Sequence, residues 1–434
     1  MHKMRFTVKQ ASCGGERIGI LSGFVKSPNT KIETPTAALL TQAGSVVHLT
    51  ADVLAKVFTS PQLLWMPLSN TLNLEKGAKV QGEGIAKFVG LPEHITCATF
   101  QNINEVAPVG HFEGDKVPLW TRNGKKLITA DRYMDVMEVF KPDIILAVAD
   151  GHTSLNEAHK RIIKSVDRTC RMLDLCVERY KASKHLNNSA LIGVVVAAGD
   201  PSKCAECIKH INKHMDTLSG VALQGITDAS KESYKEPLEK LENIFKRVGE
   251  AIPKDVVHIV DGCWNPALIV AAIEHGWDLF SGSYPLELTN NGHALTLNYD
   301  VNRYSDEPCV LDLNDVGYKE DFKPILAGCE CLACKKHTRA YIRHLLNTKE
   351  MLSSVLLSIH NLHHFDQLFH HARQHIASNT YSIYKRHIIK QYDMYNISQC
   401  TNGKHETEVT EHLKKKIKVG NEEVDNKNII NGVA

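Results

Sequence analysis

Short apolar runs alternate with amphipathic stretches along the chain from about residue 140 onwards. The apolar runs are rich in β-branched residues and have the length of buried strands, whereas the stretches between them have the period of helices. This alternation is typical of βα units around a parallel sheet. The runs that predict strands are PDIILAVAD, ALIGVVVAAG, GVALQGI, DVVHIVDG and, after the last helix of the series, WDLFSGSYP.

The amphipathic stretches predict the helices that connect these strands. They run from Asn156 to about Lys181, through PSKCAECIKHINKHM, from near Lys235 to Gly249, and through PALIVAAIEHG. Near the N-terminus, AGSVVHLTADVLAKVF predicts one more βα unit, with Thr50 as the N-cap residue. Roughly eight units over this length predict an α/β fold, a (β/α)8 TIM barrel. An open doubly wound sheet is the alternative, but no GxGxxG motif opens a helix to support it.

The C-terminal third has a different pattern. From Thr338 to about Tyr392 the sequence is strongly helical, with many histidines among leucines. Residues 401–434 are rich in Lys, Glu, Asn and Gly and have few aromatic residues. Such a segment cannot bury enough apolar surface to offset its ordering entropy, so we expect a disordered polar tail there.

Composition and charge narrow the class of protein. The chain has 434 residues, of which 43% are hydrophobic and 23% charged, as in an ordinary globular protein. We expect a soluble intracellular protein, because no bilayer-spanning apolar stretch or secretory signal is evident. The formal net charge of +2 excludes a globally basic nucleic-acid binder. A local basic patch that includes Arg339 and Arg343 lies in CKKHTRAYIRHL. The sequence leaves three roles open for these two arginines: contact with phosphate, bracing of their own subdomain, or a solvated helix face.

The twelve cysteines suggest metal ligands and reduced thiols rather than a disulfide framework. Cys329, Cys331 and Cys334 form a C-x-C-x2-C cluster in GCECLACKKH. Zinc favours thiolate and imidazole ligands in a tetrahedron, and cysteines this close rarely cluster as buried free thiols. A fourth ligand must come from the helices that follow, and periodicity alone does not rank the candidates, which are His337, His360, His363 and His364. A shell of four protein ligands has no position for an activated water, so the predicted site is one structural zinc ion.

A second cysteine pair, Cys204 and Cys207, has the spacing C-x-x-C in a stretch that reads as a helix. No further pair follows at zinc-ribbon spacing. We therefore interpret this pair as structural.

The cluster and its surroundings resemble a known family. The run CECLACKKHTRAYIRHL, followed by HNL, is similar to the zinc-binding region of the tRNA-guanine transglycosylases, the queuine tRNA-ribosyltransferases. In that family the histidine of an HN pair follows the last cysteine by 26 residues, and 360 − 334 = 26 here, which singles out His360 as the fourth ligand. The likeness extends over about residues 17–375. It implies a barrel over residues 12–400 with a zinc-binding subdomain over about residues 309–375, called the inserted subdomain below.

The catalytic motifs of that family are altered in this chain. Family enzymes attack the ribose with an aspartate in G-x-D-x-F-D-C-V-x-P-T-R, and the corresponding run GWDLFSGSYPLEL places Ser281 at the nucleophile position. A serine hydroxyl needs a neighbouring base to become a useful nucleophile. The motif D-S-G-G-F-Q has no equivalent in ATFQNINEVAPVG, and the base-recognising aspartate aligns with Ala149, one place before Asp150. The glycine-rich base pocket is altered as well, in GVVVAAGD and GVALQGI.

The resemblance therefore implies a non-catalytic member of the family. Such a chain would form a heterodimer with the catalytic subunit of queuine tRNA-ribosyltransferase and help to hold the tRNA in which guanine is exchanged for queuine. It also implies a cytoplasmic location, with peripheral association with the mitochondrial outer membrane, and leaves homodimers open. The alternative is an active transglycosylase with a displaced nucleophile, Asp278 or Asp261. A zinc-dependent hydrolase is a third class, disfavoured by a full ligand shell.

Overall fold

The computed structural model describes residues 4–12, 14–102, 112–151, 153, 155–226, 237–303 and 307–402. The predicted disordered tail lies outside these residues, apart from Thr401 and Asn402, with which the last helix ends. Within the described part of the chain, we find no helix with the length and apolar character needed to cross a bilayer.

The strands and helices follow in chain order. The strands are β1 (Arg5–Ala11), β2 (Arg17–Ser22), β3 (Ile32–Thr34), β4 (Thr36–Gln42), β5 (Ser45–Val46), β6 (Leu63–Pro67), β7 (Ile95–Thr99), β8 (Val117–Thr121), β9 (Gly124–Ile128), β10 (Ile144–Leu146), β11 (Ala190–Val195), β12 (Gly220–Leu223), β13 (Val257–Val260), β14 (Leu279–Gly282), β15 (His293–Leu295) and β16 (Val310–Asp312). The α-helices are α1 (Ala51–Val57), α2 (Leu68–Thr71), α3 (Glu75–Gln81), α4 (Ile85–Phe88), α5 (Ala130–Phe140), α6 (His159–Ala182), α7 (Pro201–Asn212), α8 (Leu238–Ala251), α9 (Pro266–Glu274), α10 (Tyr284–Asn290), α11 (Leu332–Lys336), α12 (Arg339–Asn347), α13 (Met351–Ala377) and α14 (Tyr381–Asn402). Short 3-10 helices span Leu72–Leu74, Leu186–Asn188 and Val316–Glu320.

Eight parallel strands close into a barrel. Their order is β4, β6, β7, β10, β11, β12, β13 and β14, and β14 pairs with β4 to complete the ring. All residues of β6, β7 and β10 to β14 are buried, as expected for strands covered by helices outside and packed side chains inside. At the closing pair, a Cβ on Gly282 would lie 2.3 Å from the carbonyl oxygen of Ala38, so only glycine permits this approach. The closed ring confirms the predicted (β/α)8 fold and excludes the open sheet.

The helices begin at residues whose chemistry suits a helix start. The carboxylate of Asp200 accepts hydrogen bonds from the backbone N–H groups of Ser202 and Lys203, both at 3.0 Å, and Pro201 opens α7. Asn265 caps α9 in the same way, through a 3.0 Å bond from Leu268 N. Cap residues of this kind, followed by proline, are the sequence signals by which βα units are predicted.

The first βα unit differs from its prediction. Thr50 is indeed the N-cap residue of α1, although its side chain makes no capping bond. The apolar run before it, however, forms only the two-residue strand β5, which folds back antiparallel on β4. The barrel strand of this unit is β4 itself, which lies earlier in the chain. The prediction therefore assigned the barrel strand to the segment of β5 instead of β4. A short apolar run does not distinguish a barrel strand from the second strand of a hairpin.

A buried ion pair lies at the end of the barrel where the strands begin. Asp278, directly before β14, accepts hydrogen bonds from Arg17 Nε at 2.9 Å and from Arg17 Nη2 at 2.5 Å. The backbone N–H of His258 donates to the same carboxylate at 2.8 Å. Burial raises the pKa of Asp278 to about 6, although the Arg17 guanidinium acts to lower it. This pair ties the N-terminal β-sheet, formed by β1, β2 and β3, to the barrel floor.

The inserted subdomain follows the eighth barrel strand. Strands β15 and β16 pair antiparallel, and α11 and α12 pack against the long helix α13. Helix α13 also packs on α10 and β4, and α14 packs on α9. The helical region expected from Thr338 to about Tyr392 is thus confirmed as α12, α13 and α14.

Candidate metal centre and the altered barrel mouth

Three cysteines converge at the start of helix α11. Cys331 is the N-cap residue of this helix, and its sulfur accepts a hydrogen bond from the backbone N–H of Cys334 at 3.3 Å. A helix N-terminus favours negative charge, and a thiolate is the form of cysteine that binds metal. The local fold therefore prepares this loop for anionic sulfur ligands.

His360 completes the cluster from helix α13. Its Nδ1 lies 3.8 Å from Cys329 Sγ, 3.6 Å from Cys331 Sγ and 3.3 Å from Cys334 Sγ. All four ligand atoms lie within 4.8 Å of one another. With Zn–S near 2.3 Å and Zn–N near 2.05 Å, a tetrahedral ion places sulfur and nitrogen about 3.6 Å apart. The observed distances bracket this value, so the cluster can hold a metal ion and its size and donor set suit zinc.

The HN pair holds the imidazole in the required tautomer. Nε2 of His360 donates to the carbonyl oxygen of Leu295 at 2.8 Å, which leaves the lone pair of Nδ1 facing the sulfurs. Asn361 accepts from the backbone N–H of Leu295 at 2.9 Å and donates to the carbonyl oxygen of His293 at 2.9 Å. Adjacent residues of α13 thus fasten strand β15 and orient the ligand. Partners of this kind fix the orientation and basicity of a metal-binding histidine.

The rival histidines have other roles. His364 stacks on His360 at 5.6 Å between ring centroids and bonds through Nε2 to the carbonyl oxygen of Leu297 at 3.0 Å. Burial lowers the pKa of His364 to about 3, so it remains neutral. His337 stacks on Tyr341 with centroids 5.3 Å apart. In the described part of the chain, the only histidine grouped with the three cysteines is His360.

Arg339 braces the subdomain. Its side chain is 6% exposed and lies between Glu307, at 2.9 Å, and Asp321, at 3.2 Å. The guanidinium also donates to the carbonyl oxygens of Pro324 and Ile325. Of the three alternatives left open by the sequence, the structure supports bracing for Arg339. Arg343 is half-buried and donates to the carbonyl oxygen of Asp315 at 2.8 Å.

Ser281 lies in β14 near the barrel mouth, the end at which the strands finish. Its Oγ donates to the carbonyl oxygen of Gly262 at 2.5 Å, and the side chain is buried. Ser283 Oγ donates to the same carbonyl at 3.1 Å and lies 3.3 Å from Ser281 Oγ. A backbone carbonyl is not a general base. The contacts of Ser281 thus hold β14 to β13 and do not activate the hydroxyl.

The two alternative nucleophiles occupy opposite ends of the barrel. Asp278 is in the ion pair at the floor, away from the strand ends where TIM-barrel active sites lie. Asp261 directly follows β13 at the mouth, is 3% exposed, and accepts from Gln224 Nε2 at 2.7 Å. No described residue donates to its Oδ1. Burial raises the pKa of Asp261 to about 7, so much of this group is protonated at neutral pH, which weakens it as a nucleophile.

The carboxylate of Asp150 forms ion pairs with two arginines of helix α6. Arg161 donates to both of its carboxylate oxygens and Arg168 to one, and Asp150 is fully buried. Both guanidinium groups stack on the ring of Phe112, at 4.4 and 4.5 Å from its centroid. Sequence reasoning noted the shifted position of Asp150 but missed this double ion pair. Both arginines lie within a predicted helix that contains several other basic residues, so no signal in the sequence marked them as partners of Asp150.

The cysteine pair on helix α7 does not join the metal cluster. Cys204 and Cys207 are both buried, and Cys207 Sγ lies 3.8 Å from the carbonyl oxygen of Val194. The structure thus agrees with the interpretation of this pair as structural. Most of the run ATFQNINEVAPVG, residues 103–110, lies outside the described residues.

A closed (β/α)8 barrel followed by a Cys3His cluster defines a TIM-barrel protein with a candidate structural metal site. The family model for queuine tRNA-ribosyltransferase matches residues 13–394, and the chain belongs to this family. It is similar to queuine tRNA-ribosyltransferase accessory subunit 2 of Aedes aegypti, with 32% identity over 393 residues, 90% of this chain and 93% of that one. The protein of the same name from Anopheles gambiae is 32% identical over 391 residues, 89% of this chain and 90% of the other. That of Drosophila mojavensis is 31% identical over 402 residues, 92% of this chain and 95% of the other.

Proposed function

We propose that this chain is the non-catalytic subunit of a heterodimeric queuine tRNA-ribosyltransferase. In this proposal it binds the catalytic subunit and helps to hold the tRNA in which guanine at the anticodon wobble position is exchanged for queuine. The similarity to accessory subunits over about nine tenths of the chain supports the assignment. The observation that carries it is the hydroxyl of Ser281, which donates to a backbone carbonyl where family enzymes have an ionised aspartate.

The electrostatics of the barrel mouth agree with this proposal. Attack on a ribose needs an ionised carboxylate within reach of the sugar. Ser281 has no charge, Asp150 is neutralised by two guanidinium groups, and burial favours the protonated form of Asp261. None of the three positions thus offers a fully ionised carboxylate without a cationic partner, and the physical reason differs at each.

The metal cluster has a structural role in this proposal. Three thiolates and one imidazole would fill the shell of a zinc ion, which would then join α11, α13 and, through Leu295, strand β15. The ion would fix the inserted subdomain and would take no part in base exchange. The predicted cytoplasmic location, the association with the mitochondrial outer membrane and the domain limits stay predictions.

An exchange assay tests the absence of catalysis. We expect the purified chain alone to incorporate no labelled guanine into tRNA above the protein-free control, because Ser281, Asp150 and Asp261 do not offer a fully ionised carboxylate without a cationic partner. Addition of the catalytic subunit should give turnover. Complexes with Ser281→Ala or Asp261→Asn in this chain should keep the same kcat.

Two outcomes would contradict the proposal. Exchange by the lone chain that Asp261→Asn abolishes would support the alternative, an active enzyme with a displaced nucleophile. A covalent adduct between this chain and tRNA, isolated under denaturing conditions, would exclude a purely supporting role.

Exposed apolar side chains indicate where a partner subunit could bind. Of the large hydrophobic residues that are exposed, several fall in the segment 316–352 of the inserted subdomain: Val316 at 69%, Phe322 at 75%, Tyr341 at 39%, Met351 at 87% and Leu352 at 41% exposure. Exposed apolar side chains that form one contiguous patch are characteristic of interaction surfaces. We place the contact with the catalytic subunit on this segment.

Charged substitutions test this surface. Phe322→Asp and Met351→Asp should each weaken the heterodimer at least tenfold, since a desolvated carboxylate without a partner costs more than about 1.4 kcal/mol. Val80→Asp is the matched control, because Val80 is 90% exposed but lies on helix α3. Sedimentation or mass photometry of the mixed subunits measures the effect. If all three variants bind the catalytic subunit equally well, the contact lies elsewhere on the chain.

A further inference from the structure

A second group of metal-type side chains lies on the outside of the barrel, between α6 and α7. Asp174 belongs to α6, His210 lies in the last turn of α7, and His214 lies two residues beyond the end of that helix. Nε2 of His210 lies 2.8 Å from Asp174 Oδ1, and Nε2 of His214 lies 2.7 Å from the same oxygen. The three ligand atoms all fall within 4.8 Å of one another. Neither the barrel core nor the proposed function uses this group.

The hydrogen bonds direct both imidazoles at the same oxygen of Asp174. A carboxylate only accepts hydrogen bonds, so both imidazoles must carry a proton on Nε2, and the two protons face one oxygen. His214 lies in the turn that follows α7, where its backbone N–H donates to the carbonyl oxygen of Ile211 at 2.9 Å, and this turn keeps its ring close to that of His210. A metal ion could bind the same three atoms once each neutral ring carries its proton on Nδ1 instead of Nε2.

The spacing needs only a small adjustment for metal binding. A tetrahedral ion with bonds of about 2.0–2.1 Å separates its ligand atoms by about 3.3 Å, roughly half an ångström more than the present hydrogen bonds. The side chain of Asp174 is 49% exposed and those of both histidines are 21% exposed, so they have room to move. The carboxyl end of α7, near His210, also favours a cation.

We propose that Asp174, His210 and His214 form a second metal site, which binds a divalent transition metal ion such as zinc. Two imidazoles and one carboxylate suit zinc, nickel or copper better than magnesium or calcium, which prefer oxygen ligands alone. Three protein ligands leave at least one position for water or for a ligand from another molecule. The site differs from the Cys3His cluster in being accessible from solvent, so its ion should exchange readily.

Calorimetric titration of the full chain with zinc tests the proposal. The protein is first dialysed until its zinc content is constant, so that the titration measures only additional binding. We expect one further equivalent to bind, with the lone pair of Nε2 on each neutral imidazole facing the ion and the ring proton on Nδ1. His214→Ala and Asp174→Asn should each weaken this equivalent at least tenfold and leave the zinc retained after dialysis unchanged.

His159→Ala is the matched control. His159 is an exposed histidine whose Nδ1 lies 3.3 Å from Asp200 Oδ2, a histidine and carboxylate pair without a second imidazole. This variant should bind the further equivalent as the unaltered chain does. The proposal is wrong if the unaltered chain binds no further zinc, or if His214→Ala and Asp174→Asn bind it with unchanged affinity. In either case the group is only a hydrogen-bonded clamp between α6 and α7.

Discussion

Replacing Cys331 by serine should release the metal ion and loosen the inserted subdomain. Cys331 contributes a sulfur to the cluster and is also the N-cap residue of α11, so the substitution removes a ligand at the centre of the loop. In small zinc domains, metal binding contributes on the order of 10 kcal/mol to folding. We expect retained zinc to fall by about one equivalent and amides of α11 and α12 to exchange faster with deuterium, as measured by mass spectrometry.

Cys309→Ser is the matched control for this prediction. Cys309 is buried next to β16, outside the cluster, and its sulfur lies 3.6 Å from the carbonyl oxygen of Gln391. This variant should keep its zinc and the exchange protection of α11. If Cys331→Ser retained a full equivalent of zinc, with α11 still protected, the cluster would not be a metal site.

The fold was largely predictable because its signal is repeated along the chain. Strand and helix alternate from residue 140 onwards, with cap residues such as Asp200 and Asn265 at the helix starts. The early strands β6 and β7 were not singled out, and β4 was misplaced by one hairpin. Barrel closure between β14 and β4 pairs residues more than 200 positions apart in the chain. The hydrophobic periodicity of short segments does not predict which distant strands pair.

The candidate metal site was predictable in part for a similar reason. Its three cysteines lie within six residues, and such a cluster is visible without a structure. The fourth ligand comes from another helix, so the residues alone left four histidines open and only the family resemblance selected His360. The structure explains the selection physically, because the bond from Nε2 of His360 to Leu295 leaves its Nδ1 facing the three sulfurs at 3.3 to 3.8 Å.

Ion pairs that neutralise the carboxylates were not predictable. Arg17 reaches Asp278 across 261 positions of the chain, and the two arginines at Asp150 are ordinary residues of a helix. Whether a carboxylate is charged depends on burial and on its partners in space, and a sequence contains neither directly. A list of acidic residues therefore overstates the number of groups that could act as nucleophiles.

Arg17→Met should destabilise the protein strongly through the ion pair at the barrel floor. The side chains of Arg17 and Asp278 are 5% and 0% exposed, so methionine would leave a buried carboxylate without its cation. Breaking a buried pair in this way costs roughly 3–5 kcal/mol. Chemical denaturation at pH 8 measures the loss. Arg132→Met is the control, because its pair with Glu75 has side-chain exposures of 42% and 19% and contributes no more than about 1 kcal/mol.

The pH dependence of this loss separates a charge effect from a packing effect. Burial raises the pKa of Asp278 to about 6 with Arg17 present, so the native carboxyl group binds a proton more readily than the unfolded one. Stability associated with this group is therefore lost as the pH rises toward 6 in the unaltered protein and then levels off. Without Arg17 the pKa of Asp278 rises further, and the variant should continue to lose stability above pH 6.

The difference in free energy of unfolding between the unaltered protein and Arg17→Met should therefore widen between pH 5.5 and pH 8. The double variant Arg17→Met/Asp278→Asn should recover most of the lost stability. If the difference in free energy of unfolding is the same at both pH values and the double variant recovers no stability, Arg17 acts through packing alone.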